Sequence, residues 1–476
     1  MRPKTRHARF LPVLPLAAVL AGCVVGPNYQ RPAAPVSATF KEAQGWAPSR
    51  PADGIDRGAW WSIYRDPVLD GLERRVSISN QNLAAAEAAY RQAHALVAES
   101  RAEYFPTVTG QTSATRSRRG GAAGGLGSGQ ATSYNIAVGA SWAPDLWGRV
   151  RRTVEAARAS AQAQAADVAS ARLSYQTELA VDYFDLRMID AQARLLAETV
   201  ANYQQVLRIT NNRYNVGVIA RADVITAQTQ LENAQAEAVD LGVQRAQLEH
   251  AIAVLVGVPP ADLTIAPTTT LPTDVPTVPG GVPSTLLERR PDIAAAERSV
   301  AAANANIGVA VAAYYPDLTL SGSYGFASTS LGSLFSASNA VWSVGPSLAA
   351  TLLDFGARRA RVQEARAAYD QRVAQYRQTV LAAFQAVEDE IAAAKVLEQE
   401  ATLRNAAETD ARRAETLALN RYNAGQVDFT TVVAAQNTAL QSELSSLAVL
   451  RSRLTASVSL IEALGGGWGS ADLPAS

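Results

Sequence analysis

The chain reads YFPTVTG at residues 104–110 and YYPDLTL at residues 314–320, an offset of 210 residues. A second landmark, RYNVG at 213–217, returns as RYNAG at 421–425. A third, PDLWGR at 144–149, returns one residue shorter in the second half as LDFGAR. Because the landmarks keep nearly the same spacing, they indicate one duplication rather than a solenoid of units of about 20–50 residues. The chain is therefore predicted to consist of two equivalent halves.

Each half contains two stretches in which apolar and polar residues alternate, as expected of β-strands. The clearest begins at Tyr134, from which apolar side chains occupy every second position to Trp142. The predicted strands are 103–113, 133–143, 314–327 and 341–352. Strands of about ten residues with one apolar face suit a membrane barrel, although a half-buried soluble sheet alternates in the same way.

The number of strands bears on the oligomeric state. A bilayer tolerates no unpaired sheet edge, and single-chain bacterial barrels begin at about eight strands. Four strands therefore cannot close a barrel alone. If the strands are membrane strands, several copies of the chain must contribute to one barrel.

Two very long helical patterns follow the strands. No proline interrupts residues 145–212 or 354–420, and at 1.5 Å per residue each helix would extend about 100 Å. Apolar residues recur at alternating spacings of three and four, which is typical of coiled coils. Gly217 and Gly425 mark the turns into shorter return helices. The pattern predicts a short barrel joined to long antiparallel coiled coils.

The N-terminus indicates the compartment. Four basic residues within the first nine precede an apolar stretch at 10–20, which is too short to span a bilayer but suits a signal peptide. It ends in LAGC at 20–23, which resembles a bacterial lipoprotein signal; an ordinary cleaved signal is the alternative. Cys23 is the only cysteine, which excludes an internal disulfide framework. By comparison with known lipoproteins, Val24 in place of an aspartate favours export, so we expect a covalent lipid on Cys23 and a location at the outer membrane.

Composition argues against several other functions. The chain carries 43 basic and 43 acidic residues and no basic run, so no nucleic-acid partner is expected. Outside the signal only His94 and His250 remain, far apart on helical patterns. The glycine-rich stretch 120–129 lacks the Gly-Lys-Ser/Thr of a phosphate loop and is interpreted as the outer loop between the first two strands. Neither an enzyme nor a metal or cofactor, beyond the lipid, is expected.

Three further motifs point to a family: CVVGPNY at 23–29, PSTLLERRPDI at 283–293 and ALGGGW at 463–468. Together they resemble the outer-membrane factor lipoproteins, the TolC, OprM and NodT-like efflux channel family, over nearly the whole mature chain. The resemblance implies an α+β membrane protein in which a homotrimer forms one twelve-stranded outer-membrane β-barrel. A long periplasmic α-helical coiled-coil barrel would continue it, docking on a periplasmic membrane-fusion adaptor and an inner-membrane transporter, commonly of the RND type.

The predicted organisation has six parts. They are a signal peptide at 1–22, a lipid-anchored extended segment at 23–65, a first repeat at 66–256, an inter-repeat equatorial segment at 257–290, a second repeat at 291–465 and a C-terminal tail at 466–476.

The resemblance also implies two functional regions. Adaptor contact is expected at the hairpin tips, Arg213, Tyr214, Gly217, Arg421, Tyr422 and Gly425, although helix-turn architecture alone would explain the same residues. The periplasmic aperture is expected around Asp223, Val427, Asp428, Thr430, Ala434 and Asn437. Related channels carry an aspartate and, three residues later, an arginine where this chain has Ala434 and Asn437. We therefore expect closure by helix packing around Val427, Thr430 and Ala434, with charge contributed by Asp428 or Asp223, in place of the charged pair of related channels.

Passive export of substrates from an adaptor and pump is the predicted function. A conduit for type I protein secretion and a structural coiled-coil lipoprotein are the alternatives. The structural lipoprotein would explain the helices and Cys23 but not four alternating strands in duplicated positions.

Overall fold

The computed structural model describes residues 24–37, 39–42, 59–118, 130–268, 275–276, 289–469 and 472–474. The predicted signal peptide, the lipidation residue Cys23, the whole glycine-rich stretch 120–129 and most of the inter-repeat segment lie outside the described residues.

The described chain is mainly helical. In chain order the helices are α1 (Pro67–Ser79), α2 (Gln81–Ala102), α3 (Arg149–Asn215), α4 (Arg221–Leu255), α5 (Pro291–Ala312), α6 (Ala357–Asn423) and α7 (Phe429–Ala463). The strands are β1 (Thr107–Arg118), β2 (Gln130–Trp142), β3 (Asp317–Ser328) and β4 (Ala340–Ala349). The two long helices have 67 residues each and the two return helices 35 each, so the duplicated sequence produces duplicated elements.

The long helices begin a few residues later than the sequence predicted. Asp145 and Asp354 lie before the helices. The Asp145 carboxylate accepts a hydrogen bond from the Val150 amide at 3.0 Å, and the Asp354 carboxylate accepts one from the Arg358 amide at 3.1 Å. Such side-chain caps satisfy donors that the helix itself leaves unpaired. The pattern therefore identified the helices correctly, but it counted the capping residues as helical.

The four strands form one antiparallel sheet in the order β1-β2-β3-β4. β1 continues to Arg118, beyond the predicted end at 113, because its polar end still pairs with β2 and Arg116 donates to Gln130 at 2.7 Å. One face carries the apolar members of the alternation, and its Trp342 and Val344 side chains are 73% and 77% exposed. Within the described residues, β1 and β4 are edge strands with no outer partner.

The helices form a layer below the sheet. Next to the sheet they contact one another in the order α2, α3, α5, α6, and further away in the order α4, α3, α7, α6. The α3–α5 contact is made by alanines, with Ala166 against Ala294 and Ala295, which lets the helices approach closely. A larger aromatic and aliphatic core gathers around Trp60, where α1, α3 and α7 meet.

Among the described residues one helix, α7, is long and apolar enough to cross a membrane by length and composition alone. It packs along α6 and α3, and core helices pass the same test, so this is weak evidence for a membrane helix.

Candidate functional site

The two hairpin tips share one backbone geometry. Two residues after the end of each long helix lies a glycine with positive φ, 76° at Gly217 and 73° at Gly425. The amide of Val218 donates to the carbonyl of Arg213 at 3.0 Å, and Gln426 repeats this contact in the second hairpin. This is a Schellman motif, in which glycine adopts the left-handed conformation and the last carbonyls are satisfied. Conformation alone therefore explains both glycines.

A side-chain contact joins the two hairpins at their tips. The guanidinium of Arg213 lies 4.5 Å above the centre of the Tyr422 ring and donates to the Tyr422 carbonyl at 3.1 Å. Tyr422 is 3% exposed and its ring lies 5.5 Å from that of Phe429. The sequence pattern gave no sign of this contact, because the two residues are 209 positions apart.

The two copies of the RYN motif are used differently. Tyr422 is buried in the joint between the hairpins, whereas its equivalent Tyr214 is 39% exposed. Arg213 crosses to the other hairpin, whereas Arg421 is exposed and, within the described chain, makes no side-chain hydrogen bond or ion pair. Of the predicted adaptor-contacting side chains, Tyr214 and Arg421 are the accessible ones; adaptor contact itself stays a prediction.

The predicted aperture residues divide into two groups. Val427 packs with Phe429 against a small apolar cluster at the hairpin joint. Asp428 is exposed at the N-cap of α7, where its side chain accepts no capping hydrogen bond, and Asp223 lies half-buried in the first turn of α4. The two aspartates are thus at the starts of the two return helices.

The second group forms a neutral stripe along α7. Thr430, Ala434 and Asn437 are all exposed, and their spacing of four and three residues puts them on one helix face. Asn437 also lines an open groove with Arg404 of α6. In the described protomer, then, the positions where related channels carry charge bear small or uncharged side chains. Their part in an aperture stays a prediction.

Acidic residues gather on α3, in the middle of the helical layer. Burial, followed by the neighbouring carboxylates of Glu178 and Asp185, raises the pKa of Asp182 to about 6. Asp185 is neutralised by Arg451 of α7, which donates to its two oxygens at 2.5 Å. Asp182 thus titrates closer to neutral pH than an ordinary aspartate.

A charged network fixes α4 to α3 above the tips. Asp190, which is buried, accepts from Arg187 at 3.1 Å and from Arg245 at 2.8 Å. The same arginines donate to the carbonyls of Ala266 at 2.8 Å and Ile265 at 2.5 Å. Because each charge is paired and hydrogen-bonded, the network can be buried at acceptable cost.

The described N-terminal segment begins at the sheet end of the molecule. The Val25 amide donates to the Trp147 carbonyl at 3.1 Å, and buried Arg152 holds the Val25 carbonyl at 3.3 Å and the Asn28 side chain at 2.9 Å. Val24 lies against Gly148 at the start of α3. The residue that follows the predicted lipidation position is therefore close to the base of the sheet.

One of the cavities between the described helices is lined mainly by polar and charged side chains. It has a volume of 510 Å³ and lies between α3, α6 and α7. Its Arg412 is paired with Glu443 at 2.6 Å and Glu408 at 3.1 Å. In the described portion of the chain, no cluster of three or more histidine, cysteine or acidic residues could hold a metal.

Comparison with known proteins identifies the architecture. The model of the family described as "Outer membrane efflux protein" matches residues 74–258 and 282–466, once in each half. The probable efflux pump outer membrane protein TtgC of Pseudomonas putida is 32% identical over 95% of this chain and 94% of its own length.

Solved structures of outer-membrane channels have the same architecture as this chain. The outer-membrane channel OprN has 29% identity and a TM-score of 0.87, covering 94% of this chain and all of OprN. The open state of the MtrE outer membrane channel of Neisseria gonorrhoeae has 28% identity and a TM-score of 0.82, with 94% and 99% covered. This chain belongs to the outer membrane efflux protein family.

Proposed function

We propose that this protein is the outer-membrane channel of a tripartite efflux system and conducts substrates passively to the cell exterior. The observation that carries the proposal is the protomer's shape: a sheet with an exposed apolar face continues directly into helices of 67 residues, each about 100 Å long at 1.5 Å per residue. A sheet face of this kind suits lipid, and helices of this length reach far into the periplasm.

The two sides of the described protomer are open and differ from each other. One side is formed by α2, β1 and α4, and the other by β4 and α6, along the whole length of the described chain. Both sides expose large apolar side chains, such as Val239 on α4 and Leu403 on α6. Different surfaces on opposite sides favour head-to-tail association, which generates a ring when the rotation closes.

A homotrimer fits these edges. Three copies would supply twelve strands to one barrel, an even number within the range of outer-membrane barrels. The coiled-coil helices would close into a second barrel below it. The family and its solved channels support this assembly.

A lipid on Cys23 would add an anchor to the barrel. The contact of Val24 with Gly148 at the base of the sheet supports this anchor. A lipid on the preceding residue, Cys23, would then be close to the inner leaflet of the outer membrane. One acyl-modified terminus anchors a protein and does not span the membrane.

The proposed partners are a periplasmic membrane-fusion adaptor and an inner-membrane transporter of the RND type. The support comes from relatives that are named as efflux pump outer membrane proteins. We expect the adaptor at the hairpin tips, the part of the tube furthest from the sheet, where Tyr214 and Arg421 are exposed. Closure by packing of Val427 and its neighbours, without charge at positions 434 and 437, completes the proposal.

The first test is the mass and planar-bilayer conductance of protein purified from outer membranes in mild detergent. A trimeric mass with discrete conductance steps is expected. A monomeric mass without conductance would overturn the channel and favour a structural lipoprotein.

A further inference from the structure

Two arginines lie at the end of the sheet that is furthest from the helices. Arg116 and Arg118, which we call the rim arginines, pair on β2 with Thr132 and Gln130. Because side chains two positions apart point to the same side of a strand, this register places both arginines on the same face as Tyr134. That face carries the apolar members of the alternation. The rim arginines therefore border the apolar face of the sheet at its loop end.

The sheet supplies no negative charge to these arginines. Residues 107–142 and 318–349 include the strand pairs and the loops that join them, and they contain no acidic residue. Asp317 lies at the opposite end of β3, next to the helices. Both arginines are exposed. Within the described residues, Arg116 donates to the neutral side chain of Gln130 at 2.7 Å, and Arg118 makes no side-chain hydrogen bond or ion pair. An anion that complements them must come from outside the chain.

The position of the rim arginines along the strand matches the boundary of a bilayer. An antiparallel strand rises about 3.4 Å per residue, so Arg116 and Arg118 lie about 27 Å and 34 Å along β1 from Val108. Strands of outer-membrane barrels tilt by about 35–45°, which gives heights above Val108 of about 21 Å and 26 Å. The apolar band of such barrels is about 25 Å tall. The arginines thus reach the upper edge of the band, where charge meets head groups.

The surface directly below the rim arginines is apolar and exposed. On the neighbouring strand β2, Ile136 and Val138 lie on the same face and are 37% and 56% exposed. Further across the sheet, Tyr324 pairs with Trp342, and their side chains are 57% and 73% exposed. A free anion would use the arginines and leave this apolar surface unused. A molecule with an anionic head and acyl chains would cover both.

We propose that Arg116 and Arg118 bind the phosphate groups of a phosphorylated lipid in the outer leaflet of the outer membrane. Its acyl chains lie along the apolar face of β1 and β2. The two arginines are two positions apart on one strand, about 7 Å, so both reach one head group. A guanidinium binds phosphate through two parallel N–H donors, which suits this contact. The inference rests on the proposed function, because it takes the sheet as part of a membrane barrel.

Binding of a labelled lipid to the purified protein tests the site without any substitution. The full-length protein, delipidated in mild detergent, is titrated with fluorescent diphosphorylated lipid A, and binding is followed by fluorescence anisotropy. We expect the same glycolipid without its phosphates to bind at least about tenfold more weakly, because the charged head group contributes most of the contact. The affinity for the phosphorylated form should fall as ionic strength rises, since salt screens exposed charges.

Substitutions assign the binding to the rim arginines. A basic residue at an anionic lipid surface increases affinity about fivefold, so R116Q/R118Q should weaken binding about 30-fold. R116K/R118K should retain most of the affinity, because lysine binds phosphate as a point charge. The matched control is R208Q/R413Q, which removes two exposed arginines near the far ends of the long helices and should leave the affinity unchanged.

Three results would overturn the lipid site. The first is equal binding of the lipid with and without its phosphates. The second is equal affinity of wild-type protein and R116Q/R118Q. The third is displacement of the lipid by millimolar inorganic phosphate at constant ionic strength, which would identify a site for free anions. If the wild-type protein is trimeric and conducts, these results overturn this inference alone. Monomeric, non-conducting wild-type protein would overturn the proposed function as well.

Discussion

Removal of the Arg213 side chain should make the channel open more readily. Arg213 joins the first hairpin to the second through the carbonyl and the ring of Tyr422, at the end of the tube where the aperture is proposed. We expect opening to separate the hairpins there, so a contact that joins them should favour the closed arrangement.

The size of the effect follows from the two contacts. A hydrogen bond to a charged group contributes about 1.5–3 kcal/mol, and a cation–π contact at a partly exposed site about 0.5–1 kcal/mol. Because Arg213 is only half-buried, we take about 2 kcal/mol for the pair. Since about 1.4 kcal/mol corresponds to a factor of ten, Arg213→Ala should raise the open-to-closed ratio about 30-fold.

Single-channel recording in planar bilayers measures this ratio. The matched control is Arg421→Ala, which removes the same residue type from the equivalent position of the second hairpin, where the described structure gives the side chain no hydrogen bond or ion pair. Equal open probabilities for Arg213→Ala and Arg421→Ala would refute the role assigned to the joint.

Three further predictions concern the scaffold and the anchor. Gly257→Ala should lower the unfolding temperature in detergent much more than Gly217→Ala. A Cβ atom at position 257 would collide with the Ser79 carbonyl, whereas a Cβ atom at position 217 would face open space. Equal decreases of the unfolding temperature would contradict this. Burial raises the pKa of Asp182 to about 6, so the folded protein binds a proton that the unfolded chain releases near pH 4. Stability should therefore fall as pH rises from about 4 through 6, and Asp182→Asn should flatten that slope in melts across this range. Cys23→Ser should abolish incorporation of labelled fatty acid while conductance persists; continued labelling would place the lipid elsewhere.

Much of the fold could be predicted from local periodicity. The 67-residue helices, their glycine turns and the four strands each arise from spacings of three to four or of two along the chain, and the duplication repeats them. The ends of the helices and strands were not predicted by the same pattern. Asp145 continues the helical pattern, yet it serves as a cap because its carboxylate reaches the amides of the first turn.

The residues of the hairpin tips and of the aperture were predicted from the family resemblance, not from periodicity. The resemblance could not predict how the environments of the two copies of one motif differ. Tyr214 and Tyr422 stand in the same RYN context, yet one is exposed and the other buried. The difference comes from what lies beside each tip, and that depends on the packing of α3, α6 and α7.

The sequence by itself determined which elements form, because helix and strand periodicity and glycine turns act over a few neighbouring residues. Only the tertiary structure decided which elements meet. The β2–β3 register, the Arg213–Tyr422 joint and the path of residues 24–37 along the helices bring together residues more than 100 positions apart. Such contacts depend on the combined packing of distant helices and strands, which no local pattern encodes.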